Sequence, residues 1–191
     1  MPTSNKNIII GITASIAAYK ACDLISVLKH KNYNVKGVLT PDACNFITPL
    51  TIQSLTQNPV YTDMFKPISE FNCQHIELSN WADLVVIAPA TADIISKISY
   101  GFADNLLAAL VLSLPKKTKV LIAPAMNTNM WENEIMQKNI ASLKKIPLPV
   151  RQAGGKYIFI EPRISRLACG TVGKGAMADA DLILSTIIKH A

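Results

Sequence analysis

Residues 7–15 read NIIIGITAS, and this stretch decides the fold. The run from Asn7 to Ile12 is apolar and rich in isoleucine, which is typical of a parallel strand buried on both faces. Apolar residues then recur at helical spacing over residues 15–31, which predicts a helix. A buried strand that leads directly into a helix is the first half of an α/β unit.

The same alternation continues along the chain. Further strands are predicted at 35–39, 84–88, 119–123, Val150 and 157–160, and helices at 42–46, 49–57, 91–100, 105–114, 129–145 and 179–189. Pro89 and Pro124 end two of the strands, Thr40 is expected to cap the helix that Pro41 begins, and Gly101 is expected to end another helix. No repeat or linker divides the chain. The pattern therefore predicts one domain, residues 1–191, built as an α/β three-layer sandwich around a parallel sheet.

Composition narrows the classes of protein that fit. The 191 residues are 50% hydrophobic and 17% charged. Such an apolar chain either buries an unusual fraction of itself or hides surface in a subunit interface, and we favour the interface. The net charge of +6 fits a mildly basic protein or one that attracts phosphorylated small molecules. Basic residues run no longer than pairs and lack interleaved aromatics, which argues against nucleic-acid binding.

The cysteines and the N-terminus indicate a cytoplasmic protein. The four cysteines have no metal-ligand spacing, so we expect reduced thiols and no metal site. Residues 8–18 imitate a signal peptide, but Thr13 and Ser15 interrupt the apolar run, and a strand followed by a helix is the better interpretation. No apolar run approaches the ~18 residues that a membrane span needs.

Four loops leave the carboxyl ends of the predicted strands, where ligands bind in open parallel sheets: residues 11–15, 40–46, 89–93 and 124–131. The first loop lacks the glycines of a dinucleotide site. Its Thr13 and Ser15 would suit a monophosphate, although a helix cap with nothing bound explains Ser15 equally well. The Pro89 and Pro124 loops place small residues before a polar side chain, which would let a flat ring approach; ordinary capping by Thr91 and Asn127 is the alternative.

Two further residues are candidates for chemistry. His75 lies in a polar segment before residue 84, and the ordinary expectation for such a lone histidine is a surface residue or a satisfied core residue. Cys169 lies in a glycine-rich, weakly periodic segment from 163 to 177, which is either disordered or a mobile flap over a site. A cysteine on such a flap is more exposed and more reactive than a buried one.

Taken together, these motifs resemble those of the homo-oligomeric flavin-containing cysteine decarboxylases. Residues 124–131, PAMNTNMW, resemble that family's P-x-M-N-x-x-M-W signature. Residues 11–20 and 89–93 are similar to its two flavin loops, and residues 167–175, LACGTVGKG, resemble the substrate clamp of the phosphopantothenoylcysteine decarboxylases. The resemblance covers nearly the whole chain, in order.

The resemblance implies a flavodoxin-like (Rossmann-like) sheet, FMN as cofactor, and homotrimers that assemble into dodecamers. It implies decarboxylation of the phosphorylated small molecule 4'-phosphopantothenoylcysteine to 4'-phosphopantetheine in coenzyme A biosynthesis, with a clamp at about 161–177. Catalytic roles carry over to His75, Asn127 and Cys169, with His75 brought to the site by assembly. Substrate binding carries over to Asn127, Met130, Ala168, Gly173 and Lys20. The implied FMN contacts are Gly11, Thr13, Ser15, Ile16, Thr40, Phe46, Pro89, Ala90, Thr91, Asp93, Ala125 and Met126.

One departure and several alternatives remain. The family's clamp often continues with arginine where this chain has Ala176, which puts a phosphate or carboxylate contact in doubt; Lys174 or Lys20 could replace it. A peptidyl-cysteine (lantibiotic-type) decarboxylase would share FMN, His75 and Asn127 but would not need Cys169. A flavin prenyltransferase, a non-catalytic regulatory flavoprotein and an electron carrier fit less well. The chain could be free-standing or the N-terminal half of a ligase fusion.

Overall fold

The computed structural model describes residues 6–65, 73–149 and 155–191. Strands and helices alternate along the chain. In order, they are β1 (Asn7–Ile12), α1 (Lys20–His30), β2 (Asn34–Leu39), α2 (Pro49–Thr56), β3 (Val60–Tyr61), α3 (Gln74–Trp81), β4 (Leu84–Ala90), α4 (Ala92–Tyr100), α5 (Leu106–Ser113), β5 (Lys119–Pro124), α6 (Thr128–Glu132), α7 (Glu134–Lys144), β6 (Tyr157–Phe159), β7 (Arg163–Arg166), β8 (Val172–Ala176) and α8 (Ala180–His190). Short 3-10 helices at Ile16–Tyr19 and Pro41–Asn45 precede α1 and α2.

Six parallel strands form the central sheet, in the order β3-β2-β1-β4-β5-β6. This is the doubly wound Rossmann order. Without β3, a two-residue edge strand, the remaining five strands have the flavodoxin order. The predicted α/β sandwich of flavodoxin-like (Rossmann-like) type is therefore confirmed.

Alternate residues of the strands feed two separate cores. Ile8, Ile10 and Ile12 pack with α1 and α8 on one face of the sheet. Ile9 and its neighbours in β4 pack with α3, α4, α5 and α7 on the other face. Because both faces are covered, the strands are continuous apolar runs, and this is why the sequence revealed them so clearly.

The structure differs from the sequence predictions at several places. β4 and β5 continue through Pro89 and Pro124 rather than ending before them. The helix predicted over 129–145 is two helices, since Asn133 has an extended backbone and its side chain accepts the N–H of Ile135 at 2.9 Å. Thr40 precedes a 3-10 helix, but its side chain makes no capping hydrogen bond. Val150 lies outside the described residues.

The sequence analysis missed two elements. One is β3, and the other is α3, which contains His75. The helix has few apolar residues, so its sequence carries no clear helical period; Leu78 is its one large side chain that is fully buried. The segment predicted as a disordered or mobile flap is an antiparallel hairpin of β7 and β8. We call residues 163–176 the clamp hairpin.

Candidate active site

A cavity of about 560 Å³ opens where β1, β4 and β5 end. The order of the strands reverses between β1 and β4, and this is the position at which open α/β sheets bind ligands. We call the loops that follow the three strands the cavity floor (residues 13–15, 91–93 and 125–127). The floor residues that line the cavity are Ala14, Ser15, Thr91, Ala92, Ala125, Met126 and Asn127. The clamp hairpin forms the opposite side.

Thr13 joins two loops of the cavity floor. Its side chain is 1% exposed; its hydroxyl donates to the carbonyl of Pro89 at 2.8 Å and accepts the N–H of Thr91 at 3.0 Å. These two hydrogen bonds connect chain segments 76 and 78 residues apart. Thr13 therefore does not line the cavity, and its hydroxyl holds the β1 and β4 loops in register.

The glycine of the first loop has a packing role. A Cβ at Gly11 would lie 2.7 Å from Cδ1 of Leu107, a buried residue of α5. Ser15 lines the cavity, and its hydroxyl accepts the N–H of Ala17 at 3.2 Å. Gly11 thus permits close packing of α5 on β1, and Ser15 caps the 3-10 helix while it faces the cavity.

Small side chains cover much of the cavity wall. Ala14, Ala17, Ala92 and Ala125 all line it, beside Thr91. Thr91 caps α4 by accepting the N–H of Ile94 at 3.4 Å. Since methyl groups are all that project from these four positions, a flat ring could lie close to the main chain here.

Asn127 is held with its amide nitrogen directed into the cavity. Its Oδ1 accepts the N–H of Asn129 at 2.8 Å and so caps α6. The orientation of the amide follows, because an amide oxygen accepts and an amide nitrogen donates. Its Nδ2 donates to Sγ of Cys169 at 3.3 Å, across the cavity.

Main-chain contacts hold the clamp hairpin against the cavity floor. The N–H of Met126 donates to the carbonyl of Gly175 at 3.0 Å. Gly175 has φ +149°, and a Cβ there would overlap the carbonyl oxygen of Met126. A Cβ at Gly173 would likewise overlap the Thr128 side chain. Glycine at both positions allows the hairpin to approach this closely.

Cys169 lies exposed in the loop of the clamp hairpin. Its Sγ is 3.1 Å from the hydroxyl of Thr171. Hydrogen bonds from the Thr171 side chain and main chain, and from Asn127, lower the pKa of the thiol from its ordinary value. The site thus contains a thiol whose deprotonated form is stabilised, next to an amide donor.

The cavity brings together ten of the residues that the sequence predicted: Ser15, Ile16, Lys20, Thr91, Ala125, Met126, Asn127, Met130, Ala168 and Cys169. Eight others do not line it: Gly11, Thr13, Thr40, Phe46, Pro89, Ala90, Asp93 and Gly173. Of these eight, Thr13 braces the loops by accepting from Thr91 and donating to Pro89, and Gly11 packs against α5. Asp93 instead forms an exposed salt bridge with Lys97 at 3.1 Å.

His75 is separate from the cavity in the single chain. It lies in the first turn of α3, and its main-chain carbonyl accepts the hydroxyl of Ser113 at 3.3 Å. Its Nδ1 is buried and has no hydrogen-bond partner among the described residues. Two apolar side chains on the same pair of helices, Ile76 and Leu112, are 44% and 58% exposed.

Sequence reasoning missed several lining residues. Tyr19, Arg163, Ser165, Arg166, Leu167 and Met177 also form the cavity wall. The sequence placed this segment over the site as a clamp but did not single out the arginines, because the segment has no strand-like alternation to show which side chains face the cavity. Of the two proposed replacements for the absent clamp arginine, Lys20 lines the cavity and Lys174 does not; Lys174 pairs with Glu161 at 3.0 Å.

Comparisons with known proteins agree with this geometry. The family model described as Flavoprotein matches residues 2–191. A probable phosphopantothenoylcysteine decarboxylase of Streptococcus mutans is 44% identical over 95% of this chain and 97% of its own length. The coenzyme A biosynthesis bifunctional protein CoaBC of Bacillus subtilis is 41% identical over 98% of this chain, which spans only 43% of that protein.

Two solved structures are similar throughout. A cysteine-to-serine mutant of PPC decarboxylase, complexed with pantothenoylaminoethenethiol, has a TM-score of 0.84 and 31% identity, covering 97% of this chain and 98% of its own. The FMN-binding protein AtHal3 has a TM-score of 0.79 and 32% identity, and the match covers 97% of this chain and 96% of AtHal3. A match that spans the chain, with the cavity and the clamp hairpin in place, shows what this protein is: the chain belongs to the Flavoprotein family.

Proposed function

We propose that this protein decarboxylates 4'-phosphopantothenoylcysteine to 4'-phosphopantetheine, a step of coenzyme A biosynthesis, with FMN as cofactor. The contact between Asn127 Nδ2 and Cys169 Sγ, 3.3 Å long and inside the cavity, is the observation that carries the proposal. It places a neutral donor for a carboxylate beside a thiol that can supply a proton. The names of the similar decarboxylase and CoaBC proteins support this substrate.

The cavity suits a flavin. Ala14, Ala17, Ala92 and Ala125 line it, so an isoalloxazine ring could approach the main chain. We expect Ala92 and Ala125 to face the ring and Ser15 to face the phosphate, and the likeness to the FMN-binding protein AtHal3 favours FMN among flavins. When bound, FMN would supply the two-electron oxidation that activates the cysteine end of the substrate, and would then return those electrons.

Asn127 would bind the carboxylate that is lost. Its Oδ1 is engaged by the N–H of Asn129, so only the NH₂ group faces the substrate. An amide donor orients a carboxylate without neutralising it. Departure of CO₂ is therefore not opposed by a salt bridge, as it would be with an arginine at this position.

Cys169 would protonate the enethiolate that remains after CO₂ leaves. The hydrogen bonds from Thr171 and Asn127 that lower its thiol pKa also stabilise the thiolate formed when it gives up the proton. The clamp hairpin that carries Cys169 covers the cavity, so it would also keep water from a reactive intermediate.

Replacing Cys169 tests this assignment. We expect Cys169→Ser to release CO₂ and to accumulate the unsaturated enethiol, because serine at this position is a much weaker acid than the thiol. Mass analysis of the products after incubation with phosphopantothenoylcysteine would show a mass two hydrogens below phosphopantetheine. The similar PPC decarboxylase mutant, complexed with an aminoethenethiol, supports this expectation.

Cys22→Ser on α1 is the matched control and should give saturated phosphopantetheine. Complete turnover by Cys169→Ser would contradict the role of Cys169 as proton donor. Absence of CO₂ release from the wild-type protein loaded with FMN would contradict the proposed function itself. A peptide ending in cysteine, offered in parallel, distinguishes the peptidyl-cysteine alternative.

His75 reaches the cavity, in this proposal, from a neighbouring copy in a homotrimer, and trimers associate further into dodecamers. Its distance from the cavity of its own chain and the exposed Ile76 and Leu112 beside it support this arrangement. The masses of the assemblies in solution would test the trimer and the dodecamer.

Mixed oligomers test the origin of His75 directly. His75→Asn and Asn127→Asp should each abolish turnover when assembled alone. If each site takes the two residues from different chains, random co-assembly at equal amounts gives about one quarter of sites with both native residues, and activity returns to that level. If one chain supplies both residues, the mixture stays inactive, which would contradict the proposal.

We also place the protein in the cytoplasm. All four cysteines are free, as expected of reduced thiols. Among the described helices, none is long and apolar enough to cross a lipid bilayer. Separation of cell fractions with an antibody to the protein would test the compartment.

A further inference from the structure

The charged side chains of the cavity all have the same sign. Lys20, Arg163 and Arg166 line it, and no aspartate or glutamate does so in the part of the chain that the structure describes. Like charges that line one cavity repel one another, and an anion bound between them relieves that repulsion. The cavity is therefore prepared for a ligand with a negatively charged group beyond the carboxylate that Asn127 would bind.

The three cations are not equally available. Arg163 forms a salt bridge with Asp179, its Nη1 lying 3.2 Å from Oδ1. Lys20 and Arg166 have no salt bridge or side-chain hydrogen bond with any described residue. These two side chains can bind a ligand without breaking an interaction within the protein.

The nearby carboxylate of Glu161 is already engaged. It pairs with Lys174 at 3.0 Å and with Lys144 at 3.3 Å. Burial alone would raise the pKa of Glu161, but the hydrogen bonds from these lysines outweigh it and hold the pKa below its ordinary value. Glu161 thus pairs with two lysines that do not line the cavity, and it forms no salt bridge with Arg166.

The position of Arg166 fits the far end of an extended ligand. Arg166 lies three positions before Cys169, a span of at most about 10 Å of extended chain, to which the long arginine side chain adds its own reach. A ligand whose reacting end lies between Asn127 and Cys169 can therefore have a charged end beside Arg166. Arginine suits this role because its planar fork binds two phosphate oxygens at once.

We infer that Arg166, with Lys20 on the opposite wall, binds the terminal phosphate of the substrate and makes the enzyme selective for the phosphorylated compound. The inference rests on the proposed function. It assigns to Arg166 the phosphate contact that an alanine at position 176 cannot make. Arg166 lies in the same hairpin, ten positions earlier. A cofactor phosphate is the other group of the same chemistry that could reach these cations, and the experiment separates the two.

The experiment compares kcat/KM for phosphopantothenoylcysteine with kcat/KM for pantothenoylcysteine, which lacks the phosphate. In Arg166→Gln the ratio of the two should fall roughly 10- to 100-fold, as expected for loss of a charge-assisted hydrogen bond. Arg166→Lys should recover part of the ratio, because the charge remains but the fork is lost. Lys138→Ala, which removes an exposed cation of α7 outside the cavity, should keep the wild-type ratio.

Two further readouts keep the result interpretable. Titration of the apoprotein with FMN, followed by flavin fluorescence, should give the same Kd in Arg166→Gln and wild type. In the wild-type enzyme the ratio should fall as salt is raised, since ions screen the phosphate contact. Because the salt series uses only the wild-type enzyme, its result does not depend on whether a variant folds.

An unchanged ratio in Arg166→Gln would overturn the inference while leaving the decarboxylase assignment intact. Weaker FMN binding with an unchanged ratio would assign the cation to the cofactor phosphate instead. Failure of the wild-type protein to release CO₂ from either compound would refute the proposed function, not the choice of phosphate contact.

Discussion

The cavity floor and the clamp hairpin use their polar groups in opposite ways. In the floor, the buried Thr13 hydroxyl is fully engaged by Pro89 and Thr91, so it stabilises the loops. In the hairpin, Arg166 and Cys169 are exposed, and the guanidinium of Arg166 has no salt bridge or hydrogen bond with a described residue. The floor thus fixes geometry through buried hydrogen bonds, whereas the hairpin presents exposed side chains, one of them an arginine without a salt bridge, to a ligand.

The largest effect should come from separating the two regions. Gly175→Ala places a Cβ against the carbonyl of Met126, so the main chain of the hairpin must move. A displacement of about 1 Å at a site of this kind can lower kcat/KM roughly 100-fold. Steady-state kinetics with phosphopantothenoylcysteine would measure the loss.

Gly101→Ala is the control for backbone strain alone. Gly101 also has a positive φ, +73°, but a Cβ there meets nothing within 4 Å. That variant should lose about 1 kcal/mol of stability and keep its kcat/KM. Equal activity in the two variants would show that the contact between Gly175 and Met126 does not position the hairpin.

A smaller effect, on stability, should follow from a change within the floor. Thr13→Val keeps the shape of the side chain but leaves the carbonyl of Pro89 without its donor and the N–H of Thr91 without its acceptor. We expect the free energy of unfolding to fall by about 1–3 kcal/mol, measured by urea denaturation. Thr51→Val on the exposed face of α2 should change it by less than about 0.5 kcal/mol. No difference between the two variants would mean that Thr13 does not brace the floor.

The smallest effect should appear in the hairpin as a change of acidity. The Thr171 hydroxyl is the first cause of the lowered pKa of Cys169, so Thr171→Val should raise that pKa. The thiolate then forms only at higher pH, and the pH profile of alkylation by iodoacetamide moves upward. Peptide mass spectrometry can follow Cys169 separately from the other thiols. A profile that moves downward, or does not move, would contradict the role of Thr171.

Much of the floor was predictable, because parallel strands buried on both faces leave long apolar runs, and β1 was predicted to the residue. Asn127 and Cys169 were identified as site residues by resemblance, and the structure brings them into contact 42 positions apart. The engagement of Thr13 and the packing of Gly11 on Leu107 could not be predicted. Both depend on partners more than 70 residues away, and no local pattern encodes such partners.

The hairpin and α3 were harder to predict for a different reason. β7 is mostly exposed, and β8 is half-exposed and contains two glycines, so neither strand shows apolar alternation and the segment resembled a disordered loop. α3 packs through Leu78 with little apolar support, which left His75 in an apparently featureless stretch. Where burial is slight, the sequence carries little of the periodicity on which such predictions depend.

The hydrogen bond from Met126 to Gly175 joins main-chain atoms of the cavity floor and the hairpin. It requires that position 175 has no Cβ, but it depends on no other side chain. The side chains of β7, and those of β8 other than Gly173 and Gly175, can therefore change over evolutionary time without releasing the hairpin. Related enzymes could exchange one substrate tail for another by mutating these two strands, while Asn127 and Cys169, which lie outside the strands, are inherited unaltered.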